Sequence, residues 1–365
     1  MNHRDPGAAT EAPPGLPAPP AGALRDLVLG ATPRWTRGDV AERAGVGLER
    51  AERIWRALGF PAVEDAERVF TDADVEALRA VAGLIEAGLV TSESETMVVR
   101  AVGYHLSRLA EWQIDVFLGW LGRAPGPGTA RGDDGPLERA AELLPELEAL
   151  QAYVWRRHLA AYAERIRTAP GRAGEEDSAP APPAGAAPLP GEAGLRHSAV
   201  GFTDMVGYTR LTRGLEGAEL GRMIDSFESL TGDVIAEGRG RVVKTIGDEV
   251  FFVCESASRA ADIALELTAR AQEAPELPRV RTGLAYGEVL ARYGDLYGTA
   301  VNAAARLTAV ARPGTVLVDT AFSGELAGRP EYELKGLRPV SVRGFPRLRP
   351  VLLRPAREGR RRAVR

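Results

Sequence analysis

The chain has 365 residues, 45% of them hydrophobic and 26% charged, with a formal net charge of -4. That length holds two ordinary domains, and a near-balanced charge gives no whole-chain argument for nucleic acid or an anionic membrane. A single cysteine, Cys254, excludes a disulfide framework and a cysteine-based metal cage, and it suits a reducing compartment.

Residues 1–22 are rich in proline and alanine, carry no aromatic residue, and are expected to form a disordered tail. There is no basic segment followed by an apolar leader, and no apolar run approaches the ~20 residues that span a bilayer. The expected location is therefore the cytoplasm. From 23 to 167 the periodicity is helical. DVEALRAVAGLIEAG (74–88) sets Val75, Leu78, Val81, Leu84 and Ile85 on one face. A longer amphipathic helix is expected over 95–122, followed by a breaker-rich loop over 123–136. The pattern resumes over 137–167, with Pro145 a candidate kink. No strand-like alternation interrupts this half, which predicts an all-α domain.

Residues 168–194 hold six prolines and no aromatic residue, the composition of a semi-stiff linker. Beyond them the texture changes. HSAVGFT, RVVKTI, EVFFVC, VRTGLAYG and TVLVD read as strands, and an amphipathic helix is expected at about 216–237. A strand-helix-hairpin-helix-strand order predicts an α+β sandwich, helices packed on one sheet. From 347 onward there are eight arginines and one acid, a run usually met as a solvated end.

Three stretches carry chemistry. In FTDMVGYT (202–209) a β-rich run ends at Phe202-Thr203, and Asp204 follows at the entrance to a glycine turn. Backbone amides there can hold phosphate, although Asp is also a common cap residue. In VVKTIGDEVFF (242–252) Gly247-Asp248 reads as a two-residue hairpin turn, so Asp248 taken alone is turn chemistry. Two carboxylates brought together repel unless a cation lies between them, and hard oxygen ligands without His or Cys point to Mg²⁺ or Mn²⁺. If Asp204 and Asp248 meet at adjacent strand ends, they make a divalent-ion site suited to a nucleoside triphosphate. In YGDLYGTAVNAAARL (293–307) Asn302 and Arg306 stand four apart, on one helix face in an apolar surround, with Asp295 in the loop before them.

Together, in this order and spacing, these motifs resemble the catalytic domain of class III nucleotidyl cyclases over about residues 196–353. The resemblance implies a ferredoxin-like βαββαβ core with extensions, and two divalent cations (Mg²⁺ or Mn²⁺) per active site on Asp204 and Asp248. It implies that Lys244 and Asp295 read the base, Asn302 orients the ribose and Arg306 stabilises charge on the α-phosphate. Family members work as dimers with shared sites, so a homodimer would form two equivalent ones, Lys244 and Asp248 of one hairpin serving different sites. The expected reaction is that of an adenylate cyclase, a phosphorus-oxygen lyase making 3′,5′-cyclic AMP and pyrophosphate. Adenine supports this choice: Lys244 can donate to N1 and Asp295 accept from the 6-amino group, whereas guanine reverses both polarities. Lys335 is a further candidate for the terminal phosphates, with a water-facing strand end as its plainer reading.

The N-terminal half is similar to the helical N-terminal module of some actinobacterial, especially mycobacterial, class III adenylyl cyclases. That implies a regulatory domain, in some members responding to pH, with His105 and His158 the titratable candidates. WTRGDVAERAGVGLERAERIWRALGF also looks like a helix-turn-helix. Its Arg50, Arg53 and Arg56, however, are interleaved with Glu49 and Glu52, which argues against a phosphate-facing stripe and against nucleic acid as a partner. The expected layout is a tail (1–22), an all-helical regulatory domain (23–167), a linker (168–194), a cyclase domain (195–353) and a basic tail (354–365). Two other readings are a silent nucleotide-binding scaffold on the same fold and a DNA-binding regulator with a cyclase-like ligand domain.

Overall fold

The computed structural model describes residues 21–121, 136–168 and 195–356, and it divides into two compact units, 1–190 and 191–365. Residues 1–20 of the expected tail, most of the 123–136 loop, the linker from 169 on and the end of the basic tail lie outside the described residues, while residues 21 and 22, expected in the tail, begin the first helix.

The first unit is helical: α1 (Ala21–Leu29), α2 (Arg37–Ala44), α3 (Leu48–Leu58), α4 (Asp72–Glu86), α5 (Glu95–Leu121) and α6 (Pro136–Thr168). Local chemistry sets its boundaries. Thr36 and Asp39 form a reciprocal capping box at the start of α2, and Gly45 ends that helix in the left-handed conformation at φ 71°. Gly59, at φ 87°, ends α3 in the same way. The core gathers Val40, Ile54, Trp55, Phe70, Val75, Leu78 and Val99, with the Trp55 and Phe70 rings stacked at 4.7 Å. Pro145 lies inside α6, which continues through it. Arg50 of α3 is tied to the nearly buried Glu95 at 2.7 Å, and Arg37 is tied to Glu52 and Asp65. His105 and His158 are both exposed, on α5 and α6.

The second unit holds β1 (Leu195–Met205), α7 (Tyr208–Leu211), α8 (Gly217–Glu237), β2 (Arg241–Ile246), β3 (Glu249–Cys254), α9 (Ala257–Glu273), β4 (Val280–Arg292), β5 (Asp295–Tyr297) and α10 (Thr299–Val310). It continues through β6 (Val316–Val318), α11 (Thr320–Glu325), β7 (Tyr332–Gly336), β8 (Val340–Val342), β9 (Phe345–Leu348) and β10 (Val351–Pro355). The main sheet runs β2-β3-β1-β4-β6-β10-β7, with β5 on β4. Its first four strands, with α8 and α9, are the ferredoxin-like βαββαβ core; β6 adds to β4 in parallel, and β8-β9 form a separate hairpin.

Both faces of this sheet are covered. Val250, Phe252 and Cys254 of β3 pack with α8, α9 and α11, while Phe251 and Val253 turn to the side that α10 covers. Burial on both faces explains why EVFFVC reads as a continuous apolar run rather than an alternation. The closest approach is at Gly283 of β4. A Cβ there would stand 2.3 Å from the Thr308 amide nitrogen and 2.4 Å from the Ala304 carbonyl oxygen, so only glycine lets α10 lie this near the sheet.

Candidate active site

Asp204 and Asp248 are brought together by strand pairing. β1 runs further than its sequence suggests: Asp204 lies within the strand, opposite Glu249 of β3 on one side and Arg281 of β4 on the other. Pairing on both edges carries the strand past Thr203, where the apolar pattern stops. Asp248 occupies the β2-β3 turn beside Gly247, whose φ is 62°, and its carbonyl accepts from the Met205 amide at 3.0 Å. That bond pins the turn to the end of β1. The two aspartates, Arg281 and the chain from Gly207 to Arg210 line one cleft of about 570 Å³.

Charged groups of both signs meet in this cleft. Arg281 places Nε 2.7 Å and Nη2 2.6 Å from the same Asp204 oxygen, and its Nη1 donates to the Ala309 carbonyl at 3.0 Å. Burial, and then the charge of Asp204 and a hydrogen bond with it, hold the Asp248 carboxyl above its ordinary range. Burial followed by the charges of Asp204 and Asp248 pushes Glu249 up to about 7. Asp204, Asp248 and Glu249 thus stand close together beside Arg281, with Arg210 also lining the cleft, and a divalent cation would relieve the repulsion among the carboxylates. Among the described residues no three His, Cys, Asp or Glu side chains converge as a protein-only metal cage. Two carboxylates completed by substrate phosphates is nonetheless an arrangement Mg²⁺ accepts, so the donor set fits a hard cation bound together with a triphosphate.

Lys244 and Asp295 form a second pair, Nζ to Oδ2 at 2.5 Å. A bulge in β2 between Val242 and Lys244 shifts the register so that Lys244 stands opposite Phe251. Asp295 follows the Tyr293-Gly294 turn, where both residues have positive φ (50° and 84°), and its other oxygen accepts from the Leu296 amide at 2.8 Å. Lys244 and Asp248, neighbours on one hairpin, therefore have different partners. Asn302 and Arg306 lie one turn apart on α10, with Arg306 Nε donating to the Arg343 carbonyl at 3.3 Å. None of these four residues lines the aspartate cleft. Lys335 is exposed on β7, opposite Leu352.

Sequence reasoning missed two residues. Arg281 is hidden in VRTGLAYG as one more strand residue, and only the β1-β4 register reveals its partner. Arg343, ahead of the arginine-rich run, gave no signal in the sequence, and the fold brings its backbone to Arg306.

Residues 195–354 match the adenylate and guanylate cyclase catalytic domain, and residues 25–148 match the adenylate cyclase regulatory domain. The second unit is thus a class III cyclase catalytic domain. The chain is 44% identical over 304 residues to an adenylate cyclase of Streptomyces coelicolor, covering 83% of this chain and 74% of that protein. It is 35% identical over 357 residues to an adenylate cyclase of Glutamicibacter nicotianae, covering 94% and 86%. It is 32% identical over 299 residues to a pH-sensitive adenylate cyclase of Mycobacterium tuberculosis, covering 81% and 70%. The chain belongs to the adenylate cyclase family. Among the described residues no helix is long and apolar enough to cross a membrane.

Proposed function

We propose that this enzyme converts ATP into 3′,5′-cyclic AMP and pyrophosphate as a homodimer. Each of its two sites would draw Asp204 and Asp248 from one protomer and Lys244, Asp295, Asn302 and Arg306 from the other. The observation that carries this reading is the segregation of the six side chains within one chain. The aspartates share a cleft with Arg281, whereas Lys244 is joined to Asp295 elsewhere. A set split in this way is completed by a second copy.

Each residue has a task that its surroundings support. Asp204 and Asp248 would hold the divalent cations, two per site, of Mg²⁺ or Mn²⁺; when bound, these supply positive charge that favours ionisation of the ribose 3′-hydroxyl and offsets the charge of the leaving pyrophosphate. Arg281 lines the same cleft and can pass from Asp204 to a phosphate oxygen, keeping a charge-assisted bond throughout. Arg306 directs its guanidinium at the α-phosphate, where negative charge spreads as the new bond forms. Asn302, on the same helix face, holds the ribose.

Lys244 and Asp295 set the base. Their mutual ion pair presents one donor and one acceptor side by side, the polarity of adenine N1 and its 6-amino group. Guanine would leave both groups mispaired, a cost that approaches ~1–3 kcal/mol for each once the nucleotide and the partner protomer cover these partly exposed side chains. The helical unit would tune assembly of the catalytic dimer, with a cytoplasmic setting and no nucleic-acid partner.

The test is complementation. Asp248→Ala and Arg306→Ala proteins should each be inactive with ATP and Mg²⁺ or Mn²⁺. Mixed, they should regain cyclic AMP synthesis, because a mixed dimer keeps one intact site. Two inactive proteins that stay inactive together, while size-exclusion shows mixed dimers, would refute the shared site.

A further inference from the structure

A second cleft lies in the catalytic unit, and none of the six residues above lines it. β6 pairs with β4 only from Thr282 to Leu284, and the Asp319 amide closes the pairing on the Leu284 carbonyl at 3.1 Å. Beyond that point β4 keeps β1 on one edge but has lost β6 from the other, where β5 joins only from Leu290. The chain leaving the β4-β5 hairpin crosses one face of the sheet as α10, and the chain leaving β6 crosses the other as α11. Adjacent parallel strands whose helices go to opposite faces open a crevice at their carboxyl ends, the place where α/β sheets take ligands.

Here the crevice is a cleft of about 650 Å³, whose lining includes Tyr286, Glu288, Thr299, Thr320, Arg347 and Arg349. That volume accommodates a small organic molecule. Arg347, on β9, and Arg349, just past the end of that strand, both line the cleft. Both are exposed, and neither makes an ion pair with any described residue. The first turn of α10 opens on the same space, with Gly298 as its cap and no side chain bonded to its amides. Of the two acids present, Asp319 is already used: it accepts from the Phe322 amide at 2.7 Å and from the Tyr286 backbone. Glu288 is exposed and does not offset two arginines. Phe345 and Leu195 supply apolar wall, and the His197 and Tyr286 rings lie 6.1 Å apart.

We propose that this cleft is a second ligand site, taking a small organic anion whose carboxylate or phosphate meets the Arg347-Arg349 pair while a flat apolar body lies against Tyr286 and Phe345. A guanidinium matches either head group through paired donors, and the aromatic walls favour a ring over a flexible chain. The site shares no side chain with the aspartate cleft, so binding here does not depend on the cyclase reading.

The experiment uses the full chain and two probes, 2-naphthoate and phenyl phosphate, followed by ligand-observed NMR. Each titration is run with and without millimolar pyrophosphate and Mg²⁺, which fill the aspartate cleft. At least one probe should show saturable binding, and Arg347→Glu/Arg349→Glu should weaken it by about tenfold or more. Both positions are exposed, so the variant should unfold at the temperature of the parent. Naphthoate binding alone would assign a carboxylate, and phenyl phosphate alone a phosphate. No saturable binding of either probe, binding abolished by pyrophosphate, or binding unchanged in the double variant would each overturn the proposal.

Discussion

Gly283→Ala offers the sharpest test of how the fold positions the chemistry. The added Cβ would meet the Thr308 nitrogen at 2.3 Å, the Ala304 oxygen at 2.4 Å and Thr308 Oγ1 at 2.6 Å, whereas ordinary contact begins near 3.4 Å. The first two obstacles are backbone atoms of α10, and Thr308 Oγ1 is held by the Phe202 and Ala304 carbonyls at 3.1 and 3.0 Å. Relief therefore requires the helix itself to retreat by about 1 Å, the difference between the 3.4 and 2.4 Å separations. Overpacking of this kind costs ~1–3 kcal/mol. The same retreat carries Asn302 and Arg306 with it, and a misplacement of ~1 Å can cost ~10²-fold in rate. Gly201→Ala is the control. Its Cβ would strike Phe252 and Leu284, side chains that pack on the α8-α9 face, so stability should fall while α10 stays in place. Urea unfolding and the cyclase rate per folded molecule, measured on both variants, separate the effects. A Gly283→Ala enzyme at the parental rate, or a Gly201→Ala enzyme equally slowed, would show that α10 placement does not govern catalysis.

Two further outcomes follow from the same geometry. Lys244→Ala should lower kcat/KM for ATP while leaving GTP nearly unchanged, narrowing discrimination by ~10–100-fold; an unchanged ATP:GTP ratio would remove the Lys244-Asp295 pair from base selection. Cys254 is 3% exposed, and burial raises its thiol from 9.0 to about 12. The native chain should therefore react with iodoacetamide about a thousandfold more slowly than the urea-unfolded chain at pH 8. Because the unfolded thiol ionises first, the thiol's contribution to stability is complete below pH 9 and is lost as pH rises toward 12. Fast native labelling would contradict the burial.

The candidate site was legible to different depths in different places. Asp204, Asp248, Asn302 and Arg306 stand in local features, a strand-end or turn aspartate and a helical i, i+4 pair. Each alone has a plain structural reading, and only their combined likeness to the cyclase motifs pointed to a site. Lys244 was visible as a charge in an apolar run, yet what it faces depends on a bulge that no spacing rule contains. Arg281 was not legible at all. Its partner stands 77 positions away and is met only across the β1-β4 register.

The sequence by itself determined the local structure: helical periodicity in one half, short apolar strands in the other, Gly247-Asp248 as a turn, and capping pairs such as Thr36 with Asp39. Those follow from contacts within a few residues, which composition and period encode directly. Tertiary structure alone decided which charges meet. Strand pairing brought Asp204, Asp248 and Glu249 together beside Arg281, and the parting of β4 from β6 opened a cleft beside Arg347 and Arg349. Such meetings depend on register and on the face to which each helix crosses, and a one-residue slip of register would send every side chain of a strand to the other side.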